Sequence, residues 1–404
     1  MLGICFVFLL GGYLLKARCV GHFNERSYKE LCYNDIQPLY GIRLFRDVNG
    51  VPEKTFPYVH GSLVEGELRD GAIEYPVLTG VFMWATGALA DDADSYFKVS
   101  ALFLAPLGLL IAFLLARMAG MRALLWAAAP AIVLYSFHNW DLLVVAASVA
   151  GIWLWWKRKF GWAAVLFGVG AALKMYPIMF LAPLVLERVW DRDMRGAAMT
   201  ALKGAGTAIV INLPFALANY DGWIATYLFH ERRYPNFDSI WWLGWPDWSP
   251  ERFNVVTLAL TATFAVGCLV AGMVIARRRE RFPFLQVCGA LLATFLLWNK
   301  VHSPQYTLWL LPFFVLLRVH IAWWAAYAAA DLAVYWGVFR YFYDFGLQKY
   351  DSVAKDVMTV GVWGRAGLLL LLIVVFLTSD EAIGREDVPS QENLSDPPAN
   401  LAPA

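Results

Sequence analysis

Leu31-Cys32-Tyr33-Asn34-Asp35-Ile36-Gln37-Pro38-Leu39-Tyr40 sits inside a polar segment running from about Lys16 to Ile73, and that interruption makes the rest of the chain readable. Nearly everything around it is apolar enough for lipid. The 404 residues are 60% hydrophobic, 16% aromatic and only 16% charged, with a mean hydropathy of +0.53. Soluble domains carry about 45–50% apolar residues and about 25% charge. This is the composition of a membrane protein, and the segment around Asp35 is the largest piece that must lie in water or at the membrane surface. A formal net charge of +1 provides no basic field for nucleic acid, so charges matter by position.

Upstream, residues 1–15 are apolar but short of the about 20 residues a span needs, and they lack the basic lead and cleavage site of a signal peptide. They read as a first transmembrane helix with a clipped start. Downstream of Glu74-Tyr75-Pro76, the apolar run 77–90 has the length of a re-entrant or interfacial helix rather than a crossing. Apolar runs then recur at roughly 97–116, 122–137, 141–156, 161–173, 177–189, 204–218, 254–276, 283–298, 306–318, 321–339 and 356–378. Several are broken by Pro130, Pro177, Pro183, Pro214 or Pro312. With the first helix they predict an all-α polytopic protein of about twelve crossings.

Basic residues orient it. If 77–90 does not cross, Arg117 and Arg122, Lys157-Arg158-Lys159, Arg188/Arg192/Arg195 and Arg277-Arg278-Arg279 with Arg281 all fall on one side, which the positive-inside rule makes cytoplasmic. The expected organisation is a membrane domain over 1–378, with an extracytoplasmic first loop at 16–96 carrying juxtamembrane helices, and a disordered cytoplasmic tail at 379–404.

Polar residues then gather on the outer side. They are Tyr33-Asn34-Asp35, Glu74-Tyr75, Asn139-Trp140-Asp141, Lys174, His230-Glu231-Arg232-Arg233, and Lys300-Val301-His302-Ser303-Pro304-Gln305. A lysine inside a hydrophobic hairpin costs about 2.5–3.5 kcal/mol at the bilayer centre and needs a partner. Lys174 either snorkels to the headgroups or, with Lys300 and one of Arg232 and Arg233, neutralises a phosphate. Asp141 suits a helix cap as well as a ligand role, His302 an interfacial histidine or a phosphate ligand, and Glu74 a solvated loop or a sugar hydroxyl. Asp35 itself suits an Asx-turn ahead of Pro38 or a general base. Asp91-Asp92-Ala93-Asp94-Ser95 has the spacing of a metal motif, but directly before a helix it reads as a cap. Trp241, Trp242, Trp245 and Trp248 read as an aromatic belt rather than a sugar platform. The five cysteines form no metal-ligand cluster; Cys19 and Cys32 can pair if their loop faces an oxidising compartment.

These stretches, taken in order with Asn212-Leu213-Pro214 and Tyr306, Trp309 and Pro312, resemble the GT-C superfamily, and within it the polyprenyl-phosphate-mannose-dependent glycosyltransferases of family 87, in an actinobacterial-type branch. The likeness runs from about Cys32 to Pro312. It implies a multi-pass plasma-membrane hexosyltransferase that uses a lipid-linked sugar, with a catalytic aspartate in the first outer loop, the place Asp35 holds.

No nucleotide-sugar pool exists outside the cytoplasmic membrane, so the donor must come on a lipid. A phosphate leaving group needs cations more than a proton. One carboxylate, Asp35, would then take the acceptor proton as the hydroxyl displaces the phosphate with inversion. Lys174, Arg232, Arg233, Lys300 and His302 are the expected phosphate ligands. Tyr33, Asn34, Glu74, Tyr75, Asn139, Asp141 and Gln305 are the expected sugar and acceptor ligands. A polyprenyl-phosphate sugar, probed against a glycolipid or glycan acceptor, is the expected substrate pair, with no cofactor and no metal. Two other classes fit the hydropathy: a secondary transporter or lipid flippase, which predicts related halves and midplane charges, and an envelope scaffold, which requires no convergence of Asp35, Lys174 and Lys300.

Overall fold

A computed structural model describes residues 1–48 and 50–384. Helix α1, Leu2–Ala17, is apolar up to Lys16 and ends where the polar segment begins. The short helices α2, Phe23–Arg26, and α3, Ile36–Arg43, follow. Two small hairpins come next, which the all-α expectation missed: β1, Phe45–Val48, pairs with β2, Val51–Lys54, and β3, Ser62–Val64, pairs with β4, Glu67–Arg69. Strands of three or four residues are too short for an alternating pattern to show. The second hairpin turns through Glu65 and Gly66, both with positive φ (51° and 87°), the geometry that matches strand twist in a tight turn.

Pro76, extended, opens helix α4, Val77–Ala88. Its 12 residues reach only about 18 Å at 1.5 Å per residue, short of a hydrocarbon core of about 30 Å. The acidic cluster after it is a cap: the Asp92 carboxylate accepts from Ser95 N at 2.7 Å and Ser95 Oγ accepts from Asp92 N, a reciprocal box that starts α5, Ala93–Ala119.

The rest is helical: α6 (Leu124–Ala127), α7 (Pro130–Tyr135), α8 (Asp141–Trp156), α9 (Phe160–Leu173), α10 (Leu181–Trp190), α11 (Met194–Ala218), α12 (Tyr220–Arg232), α13 (Ile240–Gly244), α14 (Pro250–Arg279), α15 (Phe284–Trp298), α16 (Thr307–Leu316), α17 (Ile321–Gly346) and α18 (Val353–Thr378). Among the described residues four stretches are long and apolar enough to cross a membrane: Ala93–Ala127, α11, α14 and α18. The other expected crossings fall largely on shorter or less apolar helices. On α11 and α14 the apolar side chains face outward, with Leu217 78% and Leu258 71% exposed, as a lipid-facing surface requires. Helices α8, α9, α15 and α16 form the buried centre. α9 and α11 cross tightly at Gly168, where a Cβ would stand 2.4 Å from the Gly204 carbonyl.

The bundle has a basic end and a cavity end. At the basic end Arg122 donates to the carbonyls of Phe314 and Leu317 at 2.8 and 2.7 Å, Arg158 approaches Glu187 and Asp191 at 4.0 Å, and Arg279 donates to Thr378 O at 3.0 Å. Residues 379–384, expected to begin a disordered tail, are instead pinned here. Arg318 N donates to Asp380 O at 2.7 Å, Ala382 N to Leu316 O at 2.8 Å, and Trp156 Nε1 to Gly384 O at 2.8 Å. Ala382 N takes the open Leu316 carbonyl at the end of α16, while Arg318 N and the Trp156 indole donate to tail carbonyls, partners that composition does not reveal. The remainder of that tail, 385–404, lies outside the described residues.

Candidate active site

A cavity of about 550 Å³ occupies the other end, lined by the first loop, the breaks after α9 and α15, and the segment after α12. Asp35 stands in its wall with a side chain 23% exposed. Asn34 and Asp35 divide the work expected of Asp35 alone. The Asn34 side chain accepts from Gln37 N at 2.9 Å and donates to Gln37 Oε1 at 2.8 Å, so Asn34 makes the turn that starts α3. Asp35 makes no capping bond. Its Oδ2 accepts from Asn139 Nδ2 at 2.8 Å, and its amide donates to His138 O at 2.7 Å. Burial pushes the Asp35 carboxyl above its ordinary range, opposed by hydrogen bonding from Asn139 and Tyr33 and by the charges of Lys174 and Lys16. Asn34, fully buried and outside the lining, is a structural residue rather than a sugar ligand.

Asn139 fixes this wall. Its amide also donates to Tyr75 Oη at 2.6 Å, while its carbonyl accepts from Trp140 N at 2.6 Å. Tyr33, Glu74 and Tyr75 line the cavity as expected. The Glu74 carboxylate is engaged by Arg43 Nε at 2.6 Å, and its backbone carbonyl accepts from His230 Nε2 at 2.7 Å.

Lys174 follows α9, whose last residue offers its carbonyl to Thr79 Oγ1 at 2.7 Å, while Lys174 itself is extended. Its ammonium does not snorkel. It donates to Asp141 Oδ1 at 2.7 Å and lies 5.2–5.6 Å from the ring centres of Tyr75, Tyr306 and Trp309. Asp141 is fully buried, makes no cap, lines no part of the cavity, and also accepts from Trp309 Nε1 at 2.7 Å. Asp141 is therefore the counter-ion of Lys174, not a sugar ligand, and the charge of Lys174 is already met.

Two other cations line the cavity without a carboxylate at ion-pair distance among the described residues. Arg233 donates to Asn236 Oδ1 at 2.6 Å, and Lys300 donates to Asn254 Oδ1 at 2.5 Å and Glu231 O at 2.9 Å. Burial, then the Arg233 charge, push the Lys300 ammonium down to about 8. Arg232 is exposed and outside the lining, because helical geometry turns neighbours apart and α12 ends at this point.

His302 also lies outside the lining. It is buried beside Arg365 in a separate small void, which holds its imidazole well below the usual range; it is not placed as a phosphate ligand. Gln305 does line the cavity, and its buried Oε1 has no partner among the described residues, an acceptor available to a hydroxyl. The tryptophan run packs on itself, with Trp241 5.4 Å from Trp245 and 6.1 Å from Trp248, and none of the four lines the cavity.

Arg43, Asn236 and Asn254, which hold Glu74, Arg233 and Lys300, escaped the sequence reading. Isolated polar residues in polar stretches carry no signal until their partners are known. Among the described residues no group of three or more His, Cys, Asp or Glu side chains could hold a metal ion.

Cys19 and Cys32 form a disulfide that ties the end of α1 to the loop holding Asp35. The other described cysteines, Cys5, Cys268 and Cys288, are free and buried.

The comparisons agree with this architecture. GPI mannosyltransferase 1 of Trypanosoma brucei brucei (strain 927/4 GUTat10.1) is 25% identical over 199 residues, covering 44% of this chain. The match spans about half, 46%, of that relative's length. The model of glycosyltransferase family 87 matches residues 73–298, from the strand of chain that carries Glu74 to the end of α15. The chain is a multi-pass membrane protein that belongs to glycosyltransferase family 87 of the GT-C superfamily.

Proposed function

We propose that this protein transfers a hexose, mannose by its relative's name, from a polyprenyl-phosphate carrier to a hydroxyl of an extracytoplasmic glycolipid or glycan, with inversion and with Asp35 as the general base. The observation that carries the reading is the asymmetry of the cavity. Asp35 stands on one wall, and Arg233 and Lys300, with no carboxylate at ion-pair distance among the described residues, stand among the other lining residues. Glu74, the other lining carboxylate among the described residues, is neutralised by Arg43.

The acceptor hydroxyl attacks the anomeric carbon, the bond to the phosphate oxygen breaks, and the proton passes to Asp35. The departing phosphate carries its charge to Arg233 and Lys300, so no proton donor is needed. A second free carboxylate to form a covalent sugar intermediate is not among the lining residues described, which favours a single displacement. Lys174, closed by Asp141, supports the floor under Tyr75, Tyr306 and Trp309, while Gln305 and Tyr33 are the proposed sugar contacts.

The reading includes about twelve crossings in the plasma membrane and an extracytoplasmic site. Two observations favour that side: the arginine clusters collect at the opposite end, and the Cys19–Cys32 disulfide, a bond that persists in oxidising compartments, lies at the cavity end. The test is turnover of purified protein with a polyprenyl-phosphate mannose. Asp35→Asn should bind the donor and lower kcat by about 10²–10⁴-fold; near-normal turnover ends the assignment.

A further inference from the structure

Helix α12 turns one face to the cavity: Thr226, Tyr227, His230 and Arg233 line it, the spacing of a single helical stripe that runs to the residue closing the helix. Two bonds one turn apart fasten that face to the chain entering α4. Thr226 Oγ1 donates to Ile73 O at 2.7 Å, and His230 meets the Glu74 carbonyl through Nε2 at 2.7 Å. A carbonyl can only accept, so the proton of the neutral ring sits on Nε2 and Nδ1 is left with a lone pair. Nδ1 has no hydrogen-bond partner among the described residues, and it is not one of the polar atoms sealed off from solvent.

Burial, then the Arg233 charge, push the His230 imidazole down to about 4, so the ring is neutral at neutral pH. Lys300 and Lys174 act in the same direction, and the bond to the Glu74 carbonyl opposes them. The two cations of this wall, Arg233 and Lys300, can only donate. A phosphate oxygen brings lone pairs and has no proton for Nδ1, whereas a hydroxyl has one. His230 is thus unsuited to the phosphate and suited to the sugar that the phosphate carries. The anomeric carbon is bonded to a phosphate oxygen, and the hydroxyl nearest that bond is the one on the adjacent carbon, C2. Its configuration is also what separates mannose from glucose.

We propose that His230 is a specificity-determining residue: held by the Glu74 carbonyl through Nε2–H, it accepts at Nδ1 the proton of the C2 hydroxyl of the hexose whose phosphate lies at Arg233 and Lys300. The proposal rests on the reading of the cavity as a sugar-phosphate site. The stripe of α12 then reads the donor in order, the sugar at His230 and the charge at Arg233 one turn later. A site built to take a hydroxyl proton rejects a sugar that lacks the hydroxyl, because its acceptor is left unpaired.

The test crosses substitutions with substrates. Wild type, His230→Gln, His230→Phe and His230→Asn are assayed for kcat/KM with polyprenyl-phosphate mannose and with its 2-deoxy counterpart, and each is melted beside wild type. Gln keeps a donor within reach of the Glu74 carbonyl but has no acceptor at the Nδ1 position; Phe has neither; Asn puts a carbonyl oxygen where Nδ1 stood. Wild type should favour the hydroxyl-bearing donor by about tenfold, the worth of one neutral hydrogen bond. His230→Gln and His230→Phe should bring that ratio to about twofold or less while turning over the 2-deoxy donor within about threefold of wild type, and His230→Asn should recover most of the preference. A ratio that stays near tenfold in His230→Gln and His230→Phe, or a wild type without preference, overturns the assignment of His230 alone. If wild type does not turn over polyprenyl-phosphate mannose at all, the reading of the cavity itself fails. Should His230→Phe not fold, His230→Gln decides on the same ratio.

Discussion

At the basic end of the bundle Arg188 lies 3.0 Å from Asp191 and pairs with Asp193, Arg279 reaches Asp380 at 3.4 Å, and Arg281 pairs with Glu381. At the cavity end Arg233 and Lys300 are held by side-chain amides and a carbonyl. Both ends concentrate cations, but at the cavity end these two have no carboxylate at ion-pair distance among the described residues, while Arg43 at the same end is matched by Glu74. An arginine that has found its carboxylate in water is satisfied and screened. A cation shielded from water and held only by dipoles keeps most of its charge for a ligand. Lys174 sits at the cavity end yet behaves like neither: it is buried and closed by Asp141.

Breaking that buried pair should do the most damage. Lys174→Met leaves the Asp141 carboxylate without its cation, and loss of about 3–5 kcal/mol is expected, read as the midpoint of detergent-solubilised thermal unfolding. Adding Asp141→Leu should recover most of it; no recovery would mean the pair also organises the cavity. Next comes the covalent tie: Cys19→Ser with Cys32→Ser should lower stability by about 3 kcal/mol, and reductant should do the same to the wild type, measured by the same melt.

Sharpening the comparison requires the unmatched cations. Arg233→Gln or Lys300→Gln should raise donor KM about 10–100-fold, as expected for a lost charged hydrogen bond, with little change in melting. Lys300 adds a sign. Its ammonium, pushed down to about 8, binds an anion when protonated, so affinity should fall as pH rises through about 8. Lys300→Arg should remove that basic limb, and a limb that persists would assign it elsewhere. The smallest effect belongs to the basic end: Arg279→Gln should change stability by at most about 1 kcal/mol and leave kcat and KM alone.

The membrane class, the polar first loop, the place of Asp35 and the family likeness were legible because each depends on local order: apolar runs, their interruptions, and short motifs in sequence. Even the capping box at Asp92 and Ser95 follows from neighbours. Which charge meets which was not legible. Asp141 and Lys174, Glu74 and Arg43, Lys300 and Asn254 come from separate elements. The same holds for the pinning of 379–384 onto α16, for Asn34 rather than Asp35 taking the turn, and for the exclusion of Arg232 and His302 from the cavity. A one-dimensional string fixes what each segment can tolerate, lipid or water. Which cation is neutralised and which stays open to an anion depends on distances of a few ångströms between distant segments, and packing of the bundle sets those.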